Sequence, residues 1–155
     1  MLLNWKVCLS GSTKGIGLAI AKEFAERNGA NAIICSRSND RSKRVAALLN
    51  GKTDIAIDVT SNASIIKSMT RLLVTHEHID IFVNDAGFPF ERKIWYKSFD
   101  EISTADLKAI LEVGTIGSVR LAKDVVRNML ANHHGGVMVN ISRQYSDILK
   151  ELLIQ

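Results

Sequence analysis

Cysteine and proline are both scarce in this sequence, and no long apolar run occurs in it. The two cysteines, Cys8 and Cys35, each lie inside a short apolar segment, with no CxxC or Cys/His spacing. We therefore expect two buried free thiols, no metal site and a reducing, cytoplasmic location. Because no apolar run reaches about 18 residues, we expect no membrane span. Residues 1–10 are too short for a secretory signal and are better interpreted as a first strand.

The charge balance is only mildly basic and gives no sign of a nucleic-acid surface. The 20 lysines and arginines exceed the 16 acidic residues, which leaves a formal charge of +4. The basic residues are scattered along the chain, so we expect no nucleic-acid partner. The chain has 155 residues, of which 46% are hydrophobic. A chain of this size and composition predicts a single domain over 1–155.

Short apolar segments alternate with longer segments whose apolar residues follow a helical period. The predicted strands cover 5–9, 31–35, 53–57, 79–83 and 137–141. The predicted helices cover 15–28, 39–49, 62–75, 104–132 and 146–154. This order, with its short loops, predicts parallel strands joined by right-handed crossovers. We therefore expect an α/β fold, a doubly wound parallel sheet of about five strands in a Rossmann-like three-layer sandwich.

A glycine-rich loop connects the first predicted strand to the first helix. It reads LSGSTKGIG, with glycines at positions 11, 15 and 17. Such a loop aims backbone N–H groups and the positive end of the helix dipole at one point, where a pyrophosphate fits. Glycines let the backbone approach that group and let helix and strand pack closely. The spacing is GxxxGxG, which differs from the GxGxxG of other dinucleotide-binding folds.

Four segments, in matching order and spacing, resemble motifs of the short-chain dehydrogenase/reductase family. The loop SGSTKGIG is similar to the family's TGxxxGIG, and DVT at 58–60 follows the third strand, where the family places an aspartate near adenine. NDAG at 84–87 resembles the NNAG motif, with Asp85 in place of the second asparagine. GVMVNIS at 136–142 resembles the family's fifth strand. The resemblance covers 5–143 and implies a nicotinamide-dependent oxidoreductase that acts on a carbonyl or an alcohol.

The resemblance also implies which residues would meet the cofactor. Those for the phosphates are the loop residues Gly11, Ser12, Thr13, Lys14, Gly15, Ile16 and Gly17. Those for the adenine are Asp58 and Val59, and those for the ribose side are Asn84, Ala86 and Gly87. For the segment 84–87 an alternative stays open, which is that it mainly ties the fourth strand to its neighbours.

The end of the second strand predicts which nicotinamide cofactor is preferred. Folds that bind NAD place a carboxylate there, which accepts hydrogen bonds from the ribose diol. This chain has Ser36, Arg37 and Ser38 instead, and the planar guanidinium of Arg37 can hold a 2′-phosphate. Lys14 adds a second cation, as in NADP-preferring members of the family. We expect NADP, with NAD as the alternative if Arg37 and Lys14 are only solvated surface charges.

The catalytic set implied by the resemblance is incomplete. The family uses a tyrosine as general acid/base, a lysine four residues later, a serine after the fifth strand and an asparagine in the long helix. Gly114 stands at the asparagine position and Arg143 at the usual serine position, which leaves Ser142. The remaining candidates, Tyr145 and Lys150, are five residues apart and would point about 140° apart on a regular helix. We name Ser142, Tyr145 and Lys150 as catalytic candidates and expect impaired or absent turnover.

After Ser142 the sequence departs from the family pattern and stops early, as in a truncated or frameshifted member. A non-catalytic nucleotide-binding or assembly protein derived from the family is therefore the alternative to an enzyme for a small carbonyl or alcohol. The fifth strand would have an open edge, covered by a tail helix bearing apolar residues or by a second subunit. Because the family commonly pairs through its long helix, here 104–132, we expect a homo-oligomer. The apolar residues of that tail helix are Ile148, Leu149, Leu152 and Leu153.

Overall fold

In the part of the chain that the structure describes, five parallel strands form one sheet in the order β3-β2-β1-β4-β5. The computed structural model describes residues 2–49, 53–89, 93–132 and 135–141. The expected α/β sheet is confirmed, and each strand begins and ends within two residues of its predicted bounds. The strands are β1 (Lys6–Ser10), β2 (Asn31–Ser36), β3 (Asp54–Ala56), β4 (Ile81–Asn84) and β5 (Val137–Asn140).

The helices occupy the predicted segments but are less regular than expected. They are α1 (Gly15–Lys22), α2 (Asn39–Leu48), α3 (Asn62–His76), α4 (Thr104–Leu111) and α5 (Ser118–Ala131). A π-helical segment, Glu23–Arg27, continues α1, and another, Glu112–Gly117, joins α4 to α5. The predicted long helix is therefore two α-helices with a wider turn between them. The predicted helix 146–154 lies outside the described residues.

Serine side chains mark where three of these helices begin. The side chains of Ser38, Ser61 and Ser103 accept hydrogen bonds from backbone N–H groups in the first turns of α2, α3 and α4. Each bond satisfies a donor that has no partner within the helix. At α4, the carboxylate of Asp106 also accepts a hydrogen bond from the Ser103 N–H, which completes a capping box.

The sheet carries an apolar core on each face. In β1, Cys8 belongs to the core shared with α3 and α5, whereas Val7 and Leu9 belong to the core shared with α1 and α2. This division follows from the strand, in which successive side chains point to opposite faces. The strands at the centre of the sheet are therefore apolar on both sides, as expected for parallel strands covered by helices.

Both cysteines are buried free thiols, as the sequence predicts. Cys8 and Cys35 are each 2% exposed, and their sulfur atoms lie 3.7 Å apart on neighbouring strands. The hydrogen bond with the Cys8 thiol, together with burial, raises the pKa of Cys35 well above its ordinary value. Cys35 is therefore held as a neutral thiol in the core.

The strand β5 differs from the other four because much of its apolar surface is exposed. Val137 and Val139 are 51% and 40% exposed, although their partners on β4, Ile81 and Val83, are buried. The core of α1 and α2 covers Ile81 and Val83 but does not extend over β5 in the described part of the chain. Among the described residues, the sheet thus has a core on both faces around β1, where the candidate site lies, whereas the face of β5 that carries Val137 and Val139 is only partly covered.

Candidate functional site

A cleft of about 840 Å³ opens at the carboxyl ends of the central strands. The strand β1 lies between β2 and β4, so the order of the strands reverses beside it. Such a reversal leaves a crevice outside the strand ends, where open α/β sheets bind ligands. The lining residues come from the ends of strands, from the loops that follow β1 to β4 and from the first turns of α1 and α2, together with Val113. They are Ser10, Gly11, Thr13, Lys14, Gly15, Ile16, Cys35, Ser36, Arg37, Ser38, Arg41, Ile57, Val59, Asp85, Ala86, Gly87, Phe88 and Pro89.

The three glycines of the loop, at positions 11, 15 and 17, lack side chains for different physical reasons. A Cβ atom on Gly11 would lie 2.7 Å from the carbonyl oxygen of Asp85, and one on Gly17 would lie 2.6 Å from the carbonyl oxygen of Gly11. These two positions lack side chains because the backbone segments approach each other closely. A Cβ on Gly15 would meet no atom within 4 Å, although its φ of +57° also favours glycine. Gly15 therefore exposes bare backbone to the cleft at the first residue of α1.

Ser12 holds the loop against the end of β2 and does not face the cleft. Its hydroxyl oxygen accepts a hydrogen bond of 2.9 Å from the Cys35 N–H, and its own N–H donates to the Cys35 carbonyl over 3.3 Å. The residue is fully buried. Of the seven loop residues predicted to meet the phosphates, Ser12 and Gly17 are absent from the cleft lining, and the other five are present.

A buried network joins the loop to the segment after β4. The Ser10 hydroxyl donates to Asn84 Oδ1 over 2.9 Å and accepts from the N–H groups of Asp85 and Ala86. The Asn84 amide donates to Asn140 Oδ1 over 3.1 Å and to the Ser118 carbonyl over 3.4 Å. Asn84 thus connects β4 to β1, β5 and α5. For this residue, the hydrogen bonds favour the alternative stated above, that it mainly ties the fourth strand to its neighbours.

The neighbours of Asn84 face the cleft instead. Asp85, Ala86 and Gly87 all line it, and a Cβ on Gly87 would meet no atom within 4 Å. Sequence reasoning missed the role of Ser10, although a serine that ends an apolar strand is a visible signal. Within the segment 84–87, the side chain of Asn84 therefore anchors neighbouring strands, and the other three residues line the cleft.

We expect Asn84→Ala to destabilise the fold by about 2–4 kcal/mol, because it leaves the Ser10 donor and the Asn140 acceptor without their partner. Urea denaturation followed by circular dichroism measures this loss. Asn140→Ala is the matched control, since Asn140 is exposed and its loss should lower stability by less than about 1 kcal/mol. Equal unfolding midpoints for the two variants would contradict the anchoring role.

Two arginines line the cleft beyond the end of β2. Arg37, which the sequence predicts, is exposed, and Arg41, in the first turn of α2, is exposed beside the same cleft. The Ser36 hydroxyl donates to the Ser38 carbonyl over 2.8 Å, and this bond shapes the turn that carries Arg37. Sequence reasoning missed Arg41, although a basic residue four positions after Arg37 is the signal that could have found it. With Lys14, the described residues place three cationic side chains along this cleft.

The two residues predicted to contact adenine, Asp58 and Val59, have different positions relative to the cleft. Val59 lines the cleft, whereas Asp58 is not among the lining residues. The carboxylate of Asp58 accepts hydrogen bonds from the N–H and the hydroxyl of Thr60, at 3.0 and 2.8 Å. Its N–H donates to Ser64 Oγ over 2.9 Å. Asp58 therefore fixes the turn that leads from β3 into α3, and Ile57 joins Val59 at the cleft.

A second cleft of about 810 Å³ adjoins the first and lies between β5 and α5. Gly114, which stands at the family's asparagine position, lines it, and a Cβ there would meet no atom within 4 Å. Gly114 also lies in the π-helical segment between α4 and α5. The catalytic candidates Ser142, Tyr145 and Lys150, and Arg143 at the usual serine position, lie outside the described residues.

The fold and the first cleft define the class of α/β proteins that bind a dinucleotide at a glycine loop. Within this class, residues 6–149 match the sequence model of the short chain dehydrogenase family. The chain therefore belongs to the short-chain dehydrogenase/reductase family, whose members use nicotinamide cofactors. In the described residues, no helix has the length and apolar composition needed to cross a membrane.

Two curated relatives illustrate how much of the family's length this chain spans. It is 30% identical over 148 residues to the chloroplastic chlorophyll(ide) b reductase NOL of Arabidopsis thaliana, covering 92% of this chain and 41% of the relative. It is 33% identical over 146 residues to the 3-oxoacyl-[acyl-carrier-protein] reductase FabG of Aquifex aeolicus, covering 90% and 56%. The chain thus spans about half the length of these curated relatives.

Solved structures give the same picture of the fold. The 3-ketoacyl-(acyl-carrier-protein) reductase of Brucella melitensis, complexed with NADH, superimposes with a TM-score of 0.81 at 21% identity. The gluconate 5-dehydrogenase of Burkholderia cenocepacia, in complex with NADP and tartrate, gives 0.78 at 25% identity. Each match covers 92% of this chain and 58% or 57% of the solved chain.

Proposed function

We propose that this chain binds NADP(H) in the first cleft and that its family activity, hydride transfer between a nicotinamide and a carbonyl or alcohol, is impaired or absent. The observation that carries the binding proposal is the combination of bare backbone at Gly15 with the cationic side chains of Lys14, Arg37 and Arg41 around one cleft. NAD is the less favoured cofactor because, among the residues that the structure describes, no carboxylate lines the cleft at the end of β2.

The residues present fit a dinucleotide phosphate. The helix α1 begins at Gly15, so its first N–H groups and the positive end of its dipole meet the cleft. Gly11, Thr13 and Ile16 line the same space, and Val59 offers an apolar wall for an adenine. Arg37 and Arg41 would bind a 2′-phosphate by charge-assisted hydrogen bonds. When bound, the nicotinamide supplies the hydride chemistry.

The proposal of impaired or absent turnover rests on the residues at the positions where the family has its catalytic side chains. A side chain at Gly114 would reach the second cleft, and glycine supplies none. Ser142, Tyr145 and Lys150 remain the candidates for binding the substrate oxygen and moving a proton. On a regular helix, the five-residue spacing of Tyr145 and Lys150 would place the two side chains on different faces. A non-catalytic nucleotide-binding or assembly protein is therefore the second candidate function, and the bare position at Gly114 favours it.

We also propose a cytoplasmic location and self-association. Two buried free thiols are typical of a reducing compartment. The helices α4 and α5 carry exposed apolar side chains, which support an interface between copies of the chain. These side chains are Leu107, Leu111, Val119, Val126 and Leu130.

Binding and turnover are tested separately on the purified chain. We expect NADPH fluorescence to show saturable binding that is tighter than the binding of NADH under the same conditions. A panel of carbonyl substrates added to the NADPH complex should then produce little or no consumption of NADPH above the rate without protein. A lack of NADPH binding would overturn the cofactor proposal, whereas substrate-dependent consumption at the rate of an ordinary enzyme, about 1 s⁻¹ or faster, would overturn the proposal of impaired or absent turnover.

A further inference from the structure

Among the described residues that line the first cleft, one is acidic. It is Asp85, which follows β4 and whose carbonyl group approaches the glycine-rich loop at Gly11. The other charged residues of this lining are the cations Lys14, Arg37 and Arg41. A negative charge beside a site for a phosphate group opposes the binding of that group, so the position of this carboxylate bears on the affinity of the cleft.

The Asp85 carboxylate lies against the first turn of α1. Its Oδ2 atom is 2.7 Å from the point that a Cβ on Gly17 would occupy, and Gly17 is the third residue of this helix. The backbone of Asp85 is fixed at the end of β4, because its N–H donates to the buried Ser10 hydroxyl over 3.1 Å. The sheet therefore positions this carboxylate beside the start of the helix.

The helix α1 has no acidic residue of its own in its first turn. Lys14 precedes the helix at the N-cap position, and its side chain makes no capping hydrogen bond. The first N–H groups of a helix have no partner within it, and a nearby negative charge stabilises them together with the positive end of the helix dipole. Asp85 supplies such a charge from a distant segment of the chain.

We propose that Asp85 stabilises the start of α1 in the unliganded chain and, by the same charge, lowers the affinity of the first cleft for a dinucleotide. This inference rests on the proposed binding of NADP(H), whose pyrophosphate would meet the same end of α1. Two anions beside one helix end repel each other. Because NADPH and NADH share the pyrophosphate, Asp85 opposes both cofactors equally, whereas Arg37 distinguishes them through the 2′-phosphate.

Asp85→Asn tests the proposal, because it keeps the shape of the side chain and removes its charge. We expect the variant to bind NADPH and NADH each about fivefold more tightly than the wild type does, since the repulsion of the pyrophosphate is lost. Without cofactor, its thermal unfolding midpoint should fall by about 1–4 °C, because the start of α1 loses a favourable charge. Titration calorimetry measures the affinities, and scanning calorimetry measures the midpoints.

Asp100→Asn is the matched control for the affinities. Asp100 is exposed and absent from the cleft lining, so the same loss of charge there should change each affinity less than about 1.5-fold. If Asp85→Asn does not fold, Asp85→Ser, which removes the carboxylate altogether, supplies the comparison.

The outcomes separate this inference from the cofactor proposal on which it rests. If neither the wild type nor the Asp85 variants bind NADPH or NADH, the cofactor proposal fails and the inference fails with it. If the wild type and Asp85→Asn bind NADPH equally well, only the role of Asp85 fails. Weaker binding by the variant, a gain confined to NADPH, or an unfolding midpoint that does not fall would also overturn the inference.

Discussion

Replacing Gly11 by alanine should destabilise the chain by about 3–5 kcal/mol, whereas Gly15→Ala should cost only about 1–2 kcal/mol. Both glycines have positive φ, at +70° and +57°, so both variants pay the same backbone penalty. Only at Gly11 does the added methyl group collide, because it would lie 2.7 Å from the carbonyl oxygen and 2.9 Å from the carbonyl carbon of Asp85. Backbone atoms cannot move aside as the end of a flexible side chain can.

The midpoints of urea denaturation measure this contrast, with circular dichroism as the signal. If Gly11→Ala does not fold at all, the folded Gly15→Ala protein still supplies the comparison. Gly15→Ala should in addition weaken NADPH binding, since its methyl group enters the open space at the start of α1. Closely similar midpoints for the two variants would show that the approach of the loop to Asp85 does not restrict Gly11.

Much of the fold could be predicted from the sequence because its signals are local. The apolar runs of 31–35 and 137–141 identify β2 and β5 almost residue by residue, since parallel strands are apolar on both faces. The π-helical segment Glu112–Gly117 could not be predicted, because its sequence continues the helical period on either side. Nearby, a Cβ on Gly117 would lie 2.7 Å from the Val59 carbonyl oxygen, a contact between distant parts of the chain.

Some features of the candidate site likewise follow from the local sequence, whereas others depend on contacts between distant segments. The spacing of the loop glycines predicts a phosphate-binding turn, and the loop does open a cleft at the start of α1. The sequence could not separate Gly11 from Gly15, because the restriction on Gly11 comes from Asp85, more than seventy residues away. Ser12 likewise turns toward Cys35 on another strand. Contacts between distant segments therefore decide which residues of a motif face the cleft.

Arg37→Asp should weaken NADPH binding about 100-fold and leave NADH binding nearly unchanged. A charge-assisted hydrogen bond contributes about 1.5–3 kcal/mol, and reversal of the charge adds repulsion of a 2′-phosphate. NADH lacks that phosphate, so it should not respond to the loss of the guanidinium. Arg41→Gln should weaken NADPH binding less, about tenfold, because it removes one cation from the cleft without adding an anion.

Arg44→Asp is the control for the change in net charge. Arg44 is exposed on α2, as Arg41 is, but it is absent from the cleft lining, so the same charge reversal there should change NADPH affinity less than about threefold. Fluorescence titration or calorimetry with both cofactors measures the affinities of the wild type and of each variant. Equal NADPH affinity in the wild type and in Arg37→Asp would reject the arginine clamp, because the guanidinium would then be only a solvated charge beside the cleft.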